Sequence, residues 1–311
     1  METKQTLEFS PEKMDFRAYS ISWNLTKRCN LNCDHCYLDA DFRGGLKNDE
    51  LSTEECFKVI DQIAEVNPNA FLILTGGEPL LRPDIYEIIR YAADRKFMVV
   101  LGTNGTMINR INAEKIKSAG AHGVGISIDS MNPDKHNKFR GVDKAWELSM
   151  DAFDILNEVG VDFLVQMSVS DMNYKEIPEV VEFTEKIGAI AFNLYFLVCT
   201  GRGQGNTDIS NTAYEEALKM LYEQQMKYKG KLMINSKCAP QYKRVVYEND
   251  PDSVYTRTYS GGCPAATHYS RISPEGNLTP CPFIEESVGN LKSRSFKDLW
   301  ENAPLMIQLR D

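Results

Sequence analysis

Six stretches rich in apolar and β-branched residues recur along the chain with helix-forming sequence between them, and this alternation constrains the fold more than any other feature. They are AYSISWNL at 18–25, AFLILTG at 70–76, FMVVLGT at 97–103, GVGISID at 123–129, DFLVQMSV at 162–169 and AIAFNLYFLV at 189–198. Their spacing of roughly 25 to 40 residues is the βα rhythm of a parallel sheet, whose strands are buried on both faces. Between them, Ser52 followed by Glu55 forms a capping box, and Cys56, Val59, Ile60 and Ile63 then share one helical face. Pro83 and Asp84 open a second helix with the stripe Ile85, Ile88, Ile89 and Ala92. Helices are also predicted over 112–119, 144–158, 176–187 and 211–227. Six βα units are too few for a closed eight-stranded barrel, so an open barrel or a doubly wound sheet is expected. Residues 1–17 read as a leader and 18–229 as the βα unit. From about 230 the rhythm is expected to stop, leaving 230–311 as a smaller attached domain with a turn-rich stretch from Tyr259 and a terminal helix around SFKDLWEN.

With 311 residues, 42% of them hydrophobic, the chain can fill a sizeable core without disulfide staples. Its 35 Lys plus Arg against 44 Asp plus Glu give a net charge of -9, which argues against nonspecific binding to nucleic acid or anionic membranes. No apolar run reaches the roughly 18 residues of a spanning helix, and METKQTLEFSPEK lacks a signal-peptide core, so a cytoplasmic location is expected. In that reducing compartment clustered cysteines act as metal ligands or redox thiols rather than disulfides.

Three of the eight cysteines sit within the segment TKRCNLNCDHCYLD, as Cys29-x3-Cys33-x2-Cys36. A structural zinc site needs four ligands, usually closed by a second C-x2-C or H-x3-H pair, and none lies nearby; His35 is adjacent to Cys36 and poorly placed for a tetrahedral cage. Three thiolates suit a cubane iron–sulfur cluster that leaves one iron open to a substrate or cofactor chelate, so the spacing favours a reactive cluster over structural zinc or a redox thiol loop. The strand runs end in small or polar residues: Thr75-Gly76-Gly77-Glu78-Pro79, Thr103-Asn104-Gly105, Ser127-Ile128-Asp129-Ser130 and Ser168-Val169-Ser170-Asp171. In parallel α/β folds the carboxyl ends of strands form the active face. Gly76 and Gly77 would let backbone approach a ligand closely, and Glu78 would accept a bond from an ammonium group. Taken alone, TGGEP and TNG read equally well as turns.

Cys29-x3-Cys33-x2-Cys36 after a first strand, followed by GGEP at 76–79, resembles the radical S-adenosylmethionine superfamily, and the resemblance runs through all six βα units. It implies a partial (β/α)6 barrel whose [4Fe-4S] cluster is held by Cys29, Cys33 and Cys36. The open iron chelates the amino and carboxylate groups of S-adenosylmethionine, and one electron from a reductase, ferredoxin or flavodoxin cleaves it to methionine and a 5′-deoxyadenosyl radical that abstracts a substrate hydrogen. Carried over residue by residue, Gly76, Gly77 and Glu78 match the segment that meets the methionine amino group, Ser127 and Asp129 match the strand end near the ribose, and Asn104 and Arg140 are further candidates.

Towards the C-terminus, Cys263-x12-Gly276-x4-Cys281 resembles the opening of a SPASM domain, which carries auxiliary iron–sulfur clusters. The remaining SPASM cysteines are missing before Asp311, so either the chain is a fragment lacking a cysteine-rich tail, the favoured expectation, or the auxiliary site is reduced to Cys263, Cys281 and Cys238. Cys56 and Cys199 read as small buried side chains. The wording of SWNLTKRCNLNCDHCY, GGEPLLRPDIYE, GTNGT, GISIDS, FLV-x-TGRG at 196–203 and CAPQ at 238–241 is similar to NirJ-like enzymes of haem biosynthesis. That implies a tetrapyrrole substrate bearing carboxylates, to which Arg202 of the TGRG run would pair. The alternative is a SPASM-type maturase of a peptide or protein, for which the leader is too short to hold a leader-binding domain. A noncatalytic iron–sulfur carrier or zinc-stabilised binding module would not retain the S-adenosylmethionine segments.

Overall fold

The protein's computed structural model describes residues 16–45, 49–205, 209–253 and 262–311. The expected leader therefore lies outside these residues apart from Phe16 and Arg17, as does the start of the turn-rich stretch at 259–261.

The expected strands form as β1 (Ser20–Asn24), β4 (Phe71–Thr75), β5 (Met98–Thr103), β6 (Gly123–Ser127), β7 (Phe163–Val169) and β8 (Ala191–Phe196). After β1 come two short strands, β2 (Arg28–Cys29) and β3 (Asp41–Phe42), which pair only with each other. Helices α1 (Thr53–Val66), α2 (Ile85–Asp94), α3 (Arg110–Ala119), α5 (Ala145–Val159), α6 (Ile177–Lys186) and α7 (Asn211–Lys227) fall where periodicity placed them. At α1 the capping box is formed in full: Glu55 N–H donates to Ser52 Oγ at 3.2 Å and Ser52 N–H to Glu55 Oε2 at 2.8 Å. Helix α4 (Pro133–Arg140) has no apolar stripe to announce it; Asn132 caps it by accepting from Lys135 N–H at 3.0 Å, with Pro133 at its first position.

The rhythm does not stop near 230. Strand β9 (Met233–Lys237) joins β8 in parallel over five residue pairs, and helix α8 (Tyr242–Asn249) follows it. Strand β10 (Tyr269–Ile272) pairs in parallel with β1, and β11 (Asn277–Thr279) and β12 (Gly289–Asn290) add an antiparallel meander beyond it. The sheet order is β12-β11-β10-β1-β4-β5-β6-β7-β8-β9, so residues beyond 229 supply both ends of the sheet. MINSK and YSRI escape notice because each contributes little apolar sequence: Ile234 and Ile272 are their buried core residues. The chain closes with α9 (Phe296–Asn302) and α10 (Pro304–Gln308), and α9 packs on α1.

One face of the sheet carries Ile21, Trp23, Leu72, Leu74, Leu101, Ile126, Val165, Met167, Phe192 and Leu194, all buried with the helix stripes in one continuous core. Each such side chain contributes roughly 1.5–3 kcal/mol by leaving water. The residues of opposite parity are more polar, including Ser22, Asn24, Ser127, Gln166, Ser168, Asn193, Tyr195, Lys237 and Arg271. Tyr195 on β8 and Tyr269 on β10 stand near the two ends of the parallel strands yet each lies close enough to raise the pKa of a neighbour: Tyr195 acts on Tyr269, and Tyr37 on both. The sheet is thus curled into an open barrel with the polar face inside. No helix among the described residues is long and apolar enough to cross a membrane.

Candidate functional site

The chain leaves β1 at the carboxyl rim and enters the cysteine loop. The loop closes on itself through the β2–β3 pair and through Arg43 N–H, which donates to Cys29 O at 2.8 Å. Leu31, Leu38 and Ala40 of the loop pack with Ala145 in a small apolar cluster of their own that includes Cys29 and Cys33. Each thiol is met by an N–H donor: Leu31 N–H to Cys29 Sγ at 3.4 Å, Ala40 N–H to Cys36 Sγ at 3.4 Å, and Arg140 Nη1 to Cys33 Sγ at 3.9 Å. Burial pushes the Cys29 thiol up to about 12, opposed by the Leu31 N–H and reinforced by Glu78 and the other two thiols. Burial raises Cys33 as well, against the Arg140 charge. Three thiolates in this setting require a cation among them, and the surrounding N–H donors are those expected around the sulfurs of an iron–sulfur cluster. The donor set fits such a cluster. Among the described residues no three His, Cys, Asp or Glu side chains converge as the ligands of one metal ion do, whereas thiols at the corners of a cubane stand further apart.

Two segments brace the loop. Arg202 N–H donates to Cys36 O at 3.1 Å, its Nε to Cys33 O at 3.1 Å, and its Nη1 to Ala40 O at 2.8 Å and Asp39 at 2.9 Å. The guanidinium expected to meet a substrate carboxylate is therefore held by the loop's own carbonyls and Asp39, leaving only its buried Nη2 without a partner. Gly201 holds φ at +58°, and a β-carbon there would lie 2.5 Å from Cys36 O. On the other side, Asn32 N–H donates to Arg140 O and Asp34 N–H to Phe139 O, each at 3.1 Å, while the His35 ring stacks on Phe139 with centroids 4.1 Å apart. His35 is thus a packing residue, as its poor position for ligation suggested.

The GGEP turn lies against the start of the same loop. Gly77 N–H donates to Thr26 O and Glu78 N–H to Arg28 O, both at 2.8 Å. A β-carbon on Gly77 would sit 2.2 Å from Arg28 O, so what demands glycine here is the protein's own backbone rather than a ligand's approach. Glu78 is fully buried and accepts from Leu80 N–H and Asn104 N–H at 3.0 Å and from Thr103 Oγ1 at 2.8 Å. Burial raises its pKa while those bonds lower it. Its carboxylate fastens two strand ends together and is not presented to an ammonium group. Asn104 Nδ2 donates to Asn30 Oδ1 at 2.9 Å, tying the TNG turn to the cysteine loop.

Asp129, expected near a ribose, is also fully buried: Arg140 Nη2 and Nε reach Oδ2 at 2.5 and 2.7 Å, and Ser168 N–H reaches Oδ1 at 2.9 Å. It holds Arg140 against Cys33. Ser127 is half-buried on the concave side.

Cys238, Cys263 and Cys281 are far apart in sequence, but the fold gathers them. Burial of its thiol pushes Cys238 up to about 12, and Cys281 and then Cys263 add to the rise; Cys281 is raised likewise, with Cys263 contributing. Cys281 Sγ accepts from Phe283 N–H at 3.3 Å, a donor of the kind seen at the first three thiols. Cys238 follows β9 with φ at 59°, a left-handed conformation that costs a side-chain-bearing residue about 1 kcal/mol or more. Cys56 is buried as expected; Cys199 is exposed, because β8 ends at Phe196 and leaves it in a loop. Sequence reasoning missed the link between the two thiol groups. Tyr37 of the cysteine loop packs edge-on to Phe283 with ring centroids 5.7 Å apart, its hydroxyl accepts from Asn24 Nδ2 at 2.8 Å, and Asn24 Oδ1 accepts from Arg271 Nε at 2.6 Å.

Residues 23–184 match the model of the radical SAM superfamily, and 263–311 match that of the SPASM iron-sulfur cluster-binding domain. The chain is 36% identical to an AdoMet-dependent heme synthase of Methanosarcina barkeri, over 94% of this chain and 84% of the relative. It is 28% identical to a pre-heme d1 synthase of Dinoroseobacter shibae, over 93% and 75% respectively. The structure of Streptococcus suis SuiB bound to S-adenosylmethionine superposes with a TM-score of 0.76 at 17% identity, covering 96% of this chain and 70% of SuiB, and so shares the fold. A [4Fe-4S] cluster and S-adenosylmethionine are the cofactors that accompany this combination of domains. The chain is an enzyme of the radical SAM superfamily.

Proposed function

We propose that this enzyme abstracts hydrogen from the side chains of a carboxylate-bearing tetrapyrrole, in the synthesis of haem or a haem d1-type cofactor. The single observation that carries the chemistry is that each thiol of Cys29, Cys33 and Cys36 has its own N–H donor at the rim of a polar concave face. The substrate class is supported by the names of the relatives, a heme synthase and a pre-heme d1 synthase. Cluster and S-adenosylmethionine, when bound, supply one-electron cleavage of the sulfonium and a 5′-deoxyadenosyl radical.

The chain's own residues do the rest. Cys29, Cys33 and Cys36 hold the cluster, while Arg202, Arg140 and the GGEP backbone fix the loop that carries them. In this assignment Gly76 and Gly77 offer backbone at the rim for the methionine end of the cofactor, and Ser127 offers a hydroxyl for its ribose. Glu78, Asp129, Arg140 and Asn104 act by holding the strand ends in place. Cys238, Cys263 and Cys281 ligate an auxiliary cluster, with Tyr37 standing between the two sites. The electron comes from a reductase, ferredoxin or flavodoxin. We divide the chain into a barrel unit at 18–229 and an auxiliary unit at 230–311 that completes the sheet.

The test is to incubate anaerobically reconstituted enzyme with S-adenosylmethionine, a reductant and carboxylated tetrapyrroles, following product mass and 5′-deoxyadenosine together. A tetrapyrrole product with altered side chains, formed in step with 5′-deoxyadenosine, is expected. Turnover of a peptide and of no tetrapyrrole would overturn the reading.

A further inference from the structure

We infer that Arg271 and Lys237, on the concave face at opposite ends of the parallel strands, bind two carboxylate arms of the substrate. The inference rests on the tetrapyrrole reading above. Pairing sets their direction: Arg271 lies beside Ser22, and Lys237 beside Tyr195, all of the inward parity, while Ile272 and Ile234 next to them are buried in the core on the other face. In the flat order of the sheet β10 and β9 stand far apart, yet the curl that brings Tyr269 to Tyr195 makes them the two sides of one mouth.

Neither cation has an acidic partner among the described residues; Arg28 and Arg310 lack one too, but each is bonded to a backbone carbonyl, of Leu81 and Ala266, and neither stands on an inward-facing strand position as Arg271 and Lys237 do. Arg82 and Arg140, the other enclosed arginines, have Asp84 and Asp129 at 2.6 and 2.5 Å, and Arg202 has Asp39 at 2.9 Å. Arg271 donates from Nε to Asn24 Oδ1 at 2.6 Å, and Glu275, the carboxylate it feels, forms no ion pair with it. Lys237 likewise has no acidic partner among the described residues. In a chain with 44 acidic against 35 basic residues, shortage of carboxylates does not explain this. The charge of Cys238 acts on Lys237 and that of Cys281 on Arg271, but neither thiol is hydrogen-bonded to its cation, and a half-enclosed cation gains most from a ligand carboxylate that pairs with it directly. Arg271 keeps its two terminal nitrogens for a paired contact with a carboxylate, and Lys237 offers a compact charge that follows a flexible arm. Their positions also orient the ring. Arg271 is joined through Asn24 to Tyr37 of the cysteine loop, and Lys237 adjoins Cys238 of the second thiol group. Arms fixed at both points place the macrocycle between the two.

Iron mesoporphyrin, with its two propionates, and its dimethyl ester are suitable probes. Their Soret bands are titrated against reconstituted full-length enzyme and its Arg271→Gln, Lys237→Gln, Arg271→Lys and Lys237→Arg forms, with iron content checked to show each variant is folded and loaded. The parent should bind the acid more tightly than the ester. Each Gln variant should lose about tenfold in affinity for the acid and nothing for the ester, and each charge-conserving variant should recover part of the loss. Unchanged affinity of both Gln variants for the acid would overturn the inference while leaving the tetrapyrrole reading intact. A parent that binds neither probe would overturn both.

Discussion

Replacing Gly77 by alanine is a one-carbon perturbation whose effect can be worked from the geometry. The added carbon would lie 2.2 Å from Arg28 O and 2.9 Å from Lys27 O, both backbone atoms that no rotamer change can move aside. Regaining ordinary contact needs a shift of about 1 Å between the GGEP turn and the chain entering Cys29. That shift breaks the two 2.8 Å bonds from Gly77 and Glu78 N–H to Thr26 and Arg28. At about 1 kcal/mol for each bond and about 1–3 kcal/mol of residual overpacking, the cost is about 3–5 kcal/mol. This is a large part of the roughly 5–15 kcal/mol that holds a domain folded, and it corresponds to a fall in Tm of roughly 10 °C. Because Cys29 follows Arg28, the displaced backbone carries a cluster ligand with it. In a Cys238→Ala/Cys281→Ala background, where only the loop's iron is counted, iron and sulfide per chain after anaerobic reconstitution should fall severalfold. Gly45→Ala is the control, since nothing lies within 4 Å of its added carbon. Full iron content and an unchanged Tm in Gly77→Ala would refute the reasoning.

Arg140→Met leaves Asp129 buried without its counter-charge and should cost about 3–5 kcal/mol in denaturant unfolding. It also removes a donor from Cys33 Sγ, so an EPR-monitored titration should place the cluster's reduction potential lower, and adding Asp129→Asn should restore stability without restoring the potential. Arg202→Ala should reduce iron retention while leaving affinity for iron mesoporphyrin unchanged; the opposite pattern would return Arg202 to the substrate. His136 is held at about 4, from an ordinary 6.5, by burial and then by the charge of Arg140. Below the ordinary value the unfolded chain binds a proton that the folded chain refuses, so stability should fall as pH drops from about 6.5 to about 4, by up to about 3 kcal/mol. His136→Asn should flatten that part of the pH–stability curve.

The strands of the barrel were legible because each sets two or more large apolar residues into the core at alternate positions, enough to register even where the concave face is polar, and the long helices because their stripes are regular. Strands β9 and β10 were not, since MINSK and YSRI each bury a single large apolar residue, Ile234 and Ile272, too few to register. Their pairing with β8 and β1 is a property of the sheet's topology and not of local sequence. Helix α4 could have been found from Asn132 and Pro133, the cap and first-turn proline, but not from periodicity. The thiols of the site were legible from spacing. The roles of Glu78, Asp129 and Arg202 were not, because sequence shows which charged groups exist near a rim and not which already face a partner: Thr103, Arg140 and the loop carbonyls had taken them. Arg271 and Lys237 went unremarked for the converse reason, since the lack of an acidic partner among the described residues becomes visible only once the surrounding side chains are placed.

The measurement that bears most directly on the account is formation of 5′-deoxyadenosine by the reconstituted, dithionite-reduced enzyme under anaerobic conditions, compared with its Cys29→Ala/Cys33→Ala/Cys36→Ala form. The account predicts S-adenosylmethionine cleavage by the parent and none above background in the variant, with iron bound at Cys238, Cys263 and Cys281 retained. Cleavage by the variant at the parent's rate would contradict it.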